Sequence, residues 1–293
     1  MSGESGDGGW RVEVLERSED KLSLLFDGVP LHLLAALRRA VIEEVPTMAV
    51  SAVMFLENSS ALHDEVLAHR LAMIPLRSEE ALRKYRPPEE CRECVDCENC
   101  TTKLYLDVKN VDLDELTVYS GDLKPEDPDV RPVHDRVPIV KLARGQSIAL
   151  EAEARLGRGR EHAKWSPVTV AVVVAVPRVT FDFSRVSEKE LEECLGCLEG
   201  LSRELAERVR RELRGTIELT RFRNTSLLRY CEAKKCSGAL KVTYSGTKRI
   251  LKIEGTGALP CDLIVLRGIE ELKRKVLRTL ASLKEIEREG AGG

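Results

Sequence analysis

Four cysteines at a regular three-residue step, Cys91-x-x-Cys94-x-x-Cys97-x-x-Cys100, carry the strongest chemical signal in the chain. Four thiolates within ten residues can close a tetrahedral shell around Zn²⁺. Such a shell leaves no coordination position for water, so the implied role is structural. Pro87 and Pro88 precede the run and acidic residues interleave with it, which predicts an exposed, irregular loop. An iron–sulfur cluster is the rival occupant, and unliganded reduced thiols are the bland alternative. Bacterial ferredoxin runs place the fourth cysteine three residues on, followed by proline. Here the last gap is two residues and Thr101 follows, so zinc is favoured.

A second, looser set joins Cys194-x-x-Cys197 to Cys231-x4-Cys236. A metal, an iron–sulfur centre, disulfides and free thiols all stay open for these four residues. They come from two separate segments, so a shared site requires the sulfurs to converge. Cys261, alone after Pro260, is expected to be structural.

No enzyme constellation emerges. His32, His63, His69, His134 and His162 are scattered and form no zinc-protease pattern. His63 and His69 flank Asp64 and Glu65, which allows a metal site, yet satisfied structural histidines are the simpler reading. Gly157-Arg158-Gly159-Arg160 lacks the Gly-Lys-Ser/Thr ending of a phosphate loop. Asp112-Leu113-Asp114-Glu115 lacks the alternate spacing of a nucleotidyl-transfer metal site.

The elements that must position these residues follow from composition and periodicity. At 293 residues, two or three modules are expected. Hydrophobic residues make up 43%, enough for real cores. A net charge of -3 argues against a protein that coats nucleic acid, and so against direct sequence-specific DNA binding. The longest apolar run, Val168–Val176, is far short of the ~20 residues of a spanning helix and reads as a buried strand. No membrane association is expected, and the chain reads as cytoplasmic. In that compartment clustered cysteines point to metal before disulfides.

Alternation predicts a hairpin, Trp10–Glu16 and Lys21–Phe26. Pro30 opens a helix to about Val45 with Leu34, Leu37, Val41 and Val45 on one face, and a strand follows over Met48–Leu56. From about 57 to 182 the pattern is β-rich. Ser187 with Glu190 makes a capping box, predicting a long charged helix to about Arg214. A strand (Thr216–Phe222), a short helix (Ser226–Ala233) and two strands (Leu240–Tyr244, Arg249–Ile253) follow. A final helix covers Cys261–Arg288, where Val265, Ile269, Leu272, Val276, Leu280 and Leu283 form one apolar stripe. Its opposite face is dense in Lys, Arg and Glu, which suits a helix–helix partner interface.

At several of these segments the sequence resembles a known family. The stretch from Asn58 to Leu76, NSSALHDEVLAHRLAMIPL, is similar to the signature of the archaeal D-type subunits of DNA-directed RNA polymerase and their eukaryotic counterparts, the third-largest polymerase subunits. Leu37-Arg38-Arg39 resembles the equivalent helix of the bacterial alpha subunit. Glu161–Val168 and Gly255-Thr256-Gly257 are further segments of resemblance. The resemblance implies an α+β fold with a split dimerisation domain, residues 10–56 joined to 238–288. It implies a β-rich domain inserted at 57–182 with the cysteine loop, and a small ferredoxin-like α/β insert at 184–237. The implied role is a non-catalytic scaffold that pairs with the small subunit L. The pair would contact the small zinc subunits N and P and nucleate the large catalytic subunits. Leu37, Val41 and the stripe would then be the partner interface, with Arg38 and Arg39 touching a large subunit. Eukaryotic relatives carry a zinc loop where Cys91–Cys100 lies. The second cysteine set departs from a full ferredoxin run.

Two other functions compete. The clustered cysteines support a stand-alone iron–sulfur redox protein, which would be coloured and redox-active in isolation. An independent nucleic-acid-binding zinc protein would show strong, salt-dependent DNA affinity.

Overall fold

The computed structural model describes residues 9–91, 99–222, 225–236 and 238–290, with 287–290 as backbone only. Cys94 and Cys97 lie outside the described residues. The elements run β1 (Arg11–Arg17), β2 (Lys21–Asp27), α1 (Leu31–Glu43), β3 (Pro46–Asn58), α2 (Asp64–Ala72), α3 (Ala81–Lys84), α4 (Pro88–Cys91) and β4 (Thr101–Lys109). They continue β5 (Glu115–Tyr119), β6 (Lys124–Pro125), β7 (Pro138–Ala143), β8 (Ser147–Arg158), β9 (Val168–Asp182), α5 (Glu188–Glu199) and α6 (Arg203–Glu212). The chain closes with β10 (Arg214–Glu218), α7 (Thr225–Lys234), β11 (Leu240–Gly255) and α8 (Cys261–Gly290). It is a mixed α and β fold in two compact units. One takes the described part of Met1–Arg17 with Leu22–Ala35 and Val172–Lys252; the other takes Ser18–Lys21, Ala36–Ala171 and the described part of Ile253–Gly293.

The first unit is built on a five-stranded sheet in the order β1-β2-β11-β9-β10. Its core joins Phe181 and Phe183 to Leu195, Leu198, Leu205, Val209 and Leu228 from the helices. Fully burying each large apolar side chain contributes about 1.5–3 kcal/mol. Ser187 Oγ accepts the Glu190 N–H at 3.4 Å, and Glu190 Oε2 accepts the Ser187 N–H at 3.2 Å, completing the capping box that the sequence implies. The single long helix expected from Ser187 is two helices instead. Gly200 ends the first, and Ser202 starts the second by accepting the Leu205 N–H on its hydroxyl, so the chain turns where a helix-breaker meets a fresh cap. The two strands expected over 240–253 are one continuous strand, β11. Val168–Val176 is not wholly buried: Val170 and Val172 are exposed.

The second unit holds a four-stranded antiparallel sheet, β3-β8-β4-β6, and a two-stranded one, β5-β7. Met48 faces Leu156, Val50 faces Ala154, Leu104 faces Ala152 and Leu106 faces Leu150, so the inward side chains of three strands meet on one face. Leu67 and Leu71 of α2 are fully buried in that core. This helix was not anticipated by the β-rich pattern of 57–182. Asn58 fixes the turn before it, donating to the Leu62 carbonyl at 2.9 Å and to Asp64 at 2.7 Å. The Asn58–Leu76 segment is therefore a self-bonded turn and a helix anchored by two leucines.

The segment Gly157–Arg160 sets how closely chain segments approach here. A Cβ on Gly157 would fall inside the Trp165 indole, and one on Gly159 would collide with the Ile42 carbonyl oxygen. Trp165 is buried with Arg155 and Lys164 over its ring at 4.4 and 4.3 Å, and Thr47 Oγ1 donates to its carbonyl at 2.8 Å. Burial, and then the nearby Arg155 charge, hold the Lys164 ammonium below its ordinary pKa.

Two glycines give opposite expectations. Gly157→Ala overpacks the indole and should destabilise the chain by about 1–3 kcal/mol. Gly196→Ala lies inside α5 with open space around it, and should stabilise by about 0.5–1 kcal/mol through helix propensity. Urea unfolding followed by tryptophan fluorescence and circular dichroism checks both.

Candidate assembly helix and cysteine sites

The longest helix, α8, follows Pro260, whose carbonyl accepts the Ile264 N–H at 3.0 Å. Proline suits the entry to a helix because it supplies no N–H that would go unsatisfied. Near its start one face is buried, through Cys261, Ile264, Val265 and Glu271. Gly268 lets α1 come close: a Cβ there would lie 2.7 Å from Val41 Cγ1 and 3.5 Å from Leu37 Cδ1.

The predicted interface residues therefore fall into two groups. Leu37, Val41 and Val265 are buried in the chain's own packing, and Leu272 is half-buried. Ile269, Val276, Leu280 and Leu283 are exposed at 49%, 66%, 47% and 53%. Leu266, Leu277 and Ile286 extend the same open apolar face. Sequence reasoning missed these three because they flank the central stripe. From Lys273 to Ile286 every residue is exposed, so more than three turns of this helix have no cover from the described residues. Contiguous apolar surface of this kind marks interaction sites. Of the two basic residues on α1, Arg38 is half-buried and Arg39 exposed.

Beneath the point where α8 leaves its own chain sits a buried charge cluster. Arg158 is 1% exposed and ends β8. Its Nε donates to Glu89 Oε1 at 2.7 Å and its Nη2 to Glu89 Oε2 at 3.2 Å, a two-pronged pair with α4. Its Nη1 donates to the Glu44 carbonyl and lies 3.3 Å from Glu271 Oε2 on α8. Lys275 pairs with the Glu44 carboxylate, Arg274 with Glu271 at 3.1 Å, and Arg160 reaches Glu44 at 3.5 Å. Burial works against the Arg158 charge, but Glu89 and Glu271 outweigh it and its pKa is raised. Burial likewise pushes the Glu89 carboxyl up, and Arg158 and Arg160 help bring it below its ordinary value. Gly157-Arg158-Gly159-Arg160 is thus a structural clasp. No local spacing rule could have found it, because its partners lie at 44, 89 and 271.

Among the described residues the cysteines close three links. Cys91 and Cys100, the ends of the first quartet, are joined as a disulfide. The Arg86 N–H donates to the Asn99 carbonyl at 2.8 Å across the same neck, and Asn99 takes a left-handed φ of 65°. The second set converges as Cys194–Cys236 and Cys197–Cys231, stapling α5 to the end of α7. Disulfide pairing is one of the options that the sequence leaves open for these four residues. Cys261 is buried and unpaired, and burial pushes its thiol up. His63 and His69 are both exposed.

Comparison with known proteins places this geometry. Residues 53–172 match the family described as RNA polymerase Rpb3/RpoA insert domain. The chain is similar to DNA-directed RNA polymerase subunit Rpo3 of Aeropyrum pernix, 38% identical over 94% of this chain and 96% of that protein. Similar proteins of the same name occur in Pyrobaculum calidifontis, 35% identical over 90% of this chain and 93% of the relative, and in Methanosphaera stadtmanae, 33% identical over 87% and 92%. With relatives of this identity matched over nearly their whole length, the chain belongs to the Rpo3 family of DNA-directed RNA polymerase subunits.

Proposed function

We propose that this chain is a non-catalytic assembly subunit of a DNA-directed RNA polymerase, and that α8 is the surface on which assembly begins. The observation that carries this reading is the uncovered apolar face Ile269, Val276, Leu280 and Leu283. Membership of the Rpo3 family supplies the enzyme context. The partner that fits is a protein with matching amphipathic helices, for which the small subunit L is the candidate. Leu37, Val41 and Val265 support that surface from beneath, since they are buried against the chain's own helices. The L-bound pair then offers surfaces to the small zinc subunits N and P and to the large catalytic subunits, with Arg38 and Arg39 toward a large subunit. In this reading residues 10–56 and 238–288 act as one dimerisation domain, 57–182 as its inserted β-rich domain and 184–237 as a ferredoxin-like insert. The insert is held by its two disulfides rather than by an iron–sulfur cluster.

The first cysteine quartet is proposed as a zinc loop. Cys91 and Cys100 meet at the neck, so in the reduced chain the two ends of the thiolate run are already together. Cys94 and Cys97 would complete the set, and the metal would supply a rigid cross-link. That is a role in folding, with no chemistry at the polymerase active centre.

Two outcomes check these assignments. Val276→Asp should leave the thermal stability of the isolated chain within about 0.5 kcal/mol, because the position is exposed. It should nevertheless weaken pairing with subunit L by about 2 kcal/mol or more by burying an unpaired charge. Val41→Asp should unfold the chain itself. Calorimetric titration with subunit L and thermal melts separate the two, and normal pairing by the Val276 variant would refute the assembly reading. For the loop, a chain with Cys194, Cys197, Cys231, Cys236 and Cys261 replaced and kept reduced should retain one zinc per molecule by elemental analysis. Its absence would remove the zinc assignment.

A further inference from the structure

We propose that Glu89 and Arg158 transmit the closed state of the cysteine loop to the assembly helix. Each step of the route is a bond already described. The neck of the loop is closed between Cys91 and Cys100. Cys91 is the last residue of α4, whose single turn also carries Glu89, so closing the neck holds that carboxylate in place. Both oxygens of Glu89 are taken by Arg158. The same guanidinium reaches Glu271, which is 7% exposed and sits on the last buried turn of α8. The exposed part of the helix begins two residues later, at Lys273.

Arg158 cannot drop out of this chain of contacts without consequence. Its charge is almost wholly removed from water, and the Glu44 carbonyl, Glu89 and Glu271 answer it. If the neck opens and Glu89 moves away, the charge must be shared differently between Glu271 and Glu44 or reach water. Either course shifts Glu271 and loosens the turn of α8 that precedes the open apolar face. A thiolate-bound metal would close the same neck, so the link holds for either form of closure. Glu89 and Arg158 are positioning residues in this scheme. The consequence for pairing rests on the assembly reading, but the link itself belongs to this chain alone.

The test is amide hydrogen exchange on the full chain without any partner, read over residues 268–275, with the β4 core as internal reference. Four forms are compared: the unaltered chain, Cys91→Ser with Cys100→Ser, Glu89→Gln, and all three substitutions together. Opening the neck should speed exchange over 268–275 by about tenfold, a size in keeping with coupled networks. Glu89→Gln should do the same, and the combined form should exchange no faster than either alone. Equal exchange in the open-neck and unaltered chains would overturn the proposal. So would effects that multiply in the combined form, since independent sites add in free energy. If Glu89→Gln lowers protection throughout the chain, Glu89→Asp, which keeps the charge and shortens its reach, takes its place in the same cycle, and the same two results overturn the proposal. Because no partner is present, failure here leaves the α8 assembly reading standing, and failure of pairing with subunit L leaves this link standing.

Discussion

Arg158 is the bulkiest fully buried side chain among the described residues, and a buried guanidinium must be answered on every side. Taking such a charge out of water costs several kcal/mol even after relaxation, and only good geometry with further hydrogen bonds offsets it. The answers here come from three segments far apart in the chain: the turn after α1 through Glu44, α4 through Glu89, and α8 through Glu271. The flanking glycines belong to the same constraint. Gly157 admits Trp165 and Gly159 admits the Ile42 carbonyl, so the strand that delivers the arginine can lie flush against its surroundings. An apolar replacement of the cluster could be as stable, and removal of one partner would not. What the cluster supplies is specification, one arrangement of three segments in place of several.

How much of this was legible in the sequence depends on whether the signal is local. The capping box at Ser187 and Glu190, the hairpin and the stripe on α8 are carried by spacing within one element, and each is found where its spacing puts it. The break at Gly200–Ser202 was also written locally, in a glycine followed by a capping residue, but the helical periodicity on both sides masked it. α2 was missed because it is short and only Leu67 and Leu71 of its apolar residues are fully buried, which is too few to set a helical period. The continuity of β11 through Ser245-Gly246-Thr247 has no local signature, since turn residues were kept in strand by pairing with neighbouring strands.

The candidate site divides along the same line. Four cysteines spaced in two pairs announced a convergence, but thiol chemistry alone could not choose between a metal and disulfides; the fold brings each to one partner across α5 and α7. The apolar stripe was visible as a stripe, but which of its members face the chain's own core was not. Gly268, whose missing side chain lets Val41 and Leu37 lie against α8, marks the side turned to the chain's own core, with Val265 buried and Ile269 open. Arg158 was visible only as part of a failed phosphate-loop pattern.

The buried cluster and the open stripe are two sides of one helix. An α-helix turns about 100° per residue, so Glu271 points about 200° away from Ile269 and about 140° from Val276. A helix with apolar residues over a wide arc can rotate about its axis and bury whichever apolar edge packs best, here that of Leu266 as readily as that of Val265 and Leu272. A charge that must meet Arg158 removes that freedom. With Glu271 drawn inward, Ile269 on the same turn faces outward, and from Lys273 to Ile286 the helix is exposed on every side. Gly268 sharpens the choice, because a side chain there would meet Val41 and obstruct the close approach of α1. The ionic contact thus fixes the last buried turn of α8, and the open apolar surface begins where that turn ends.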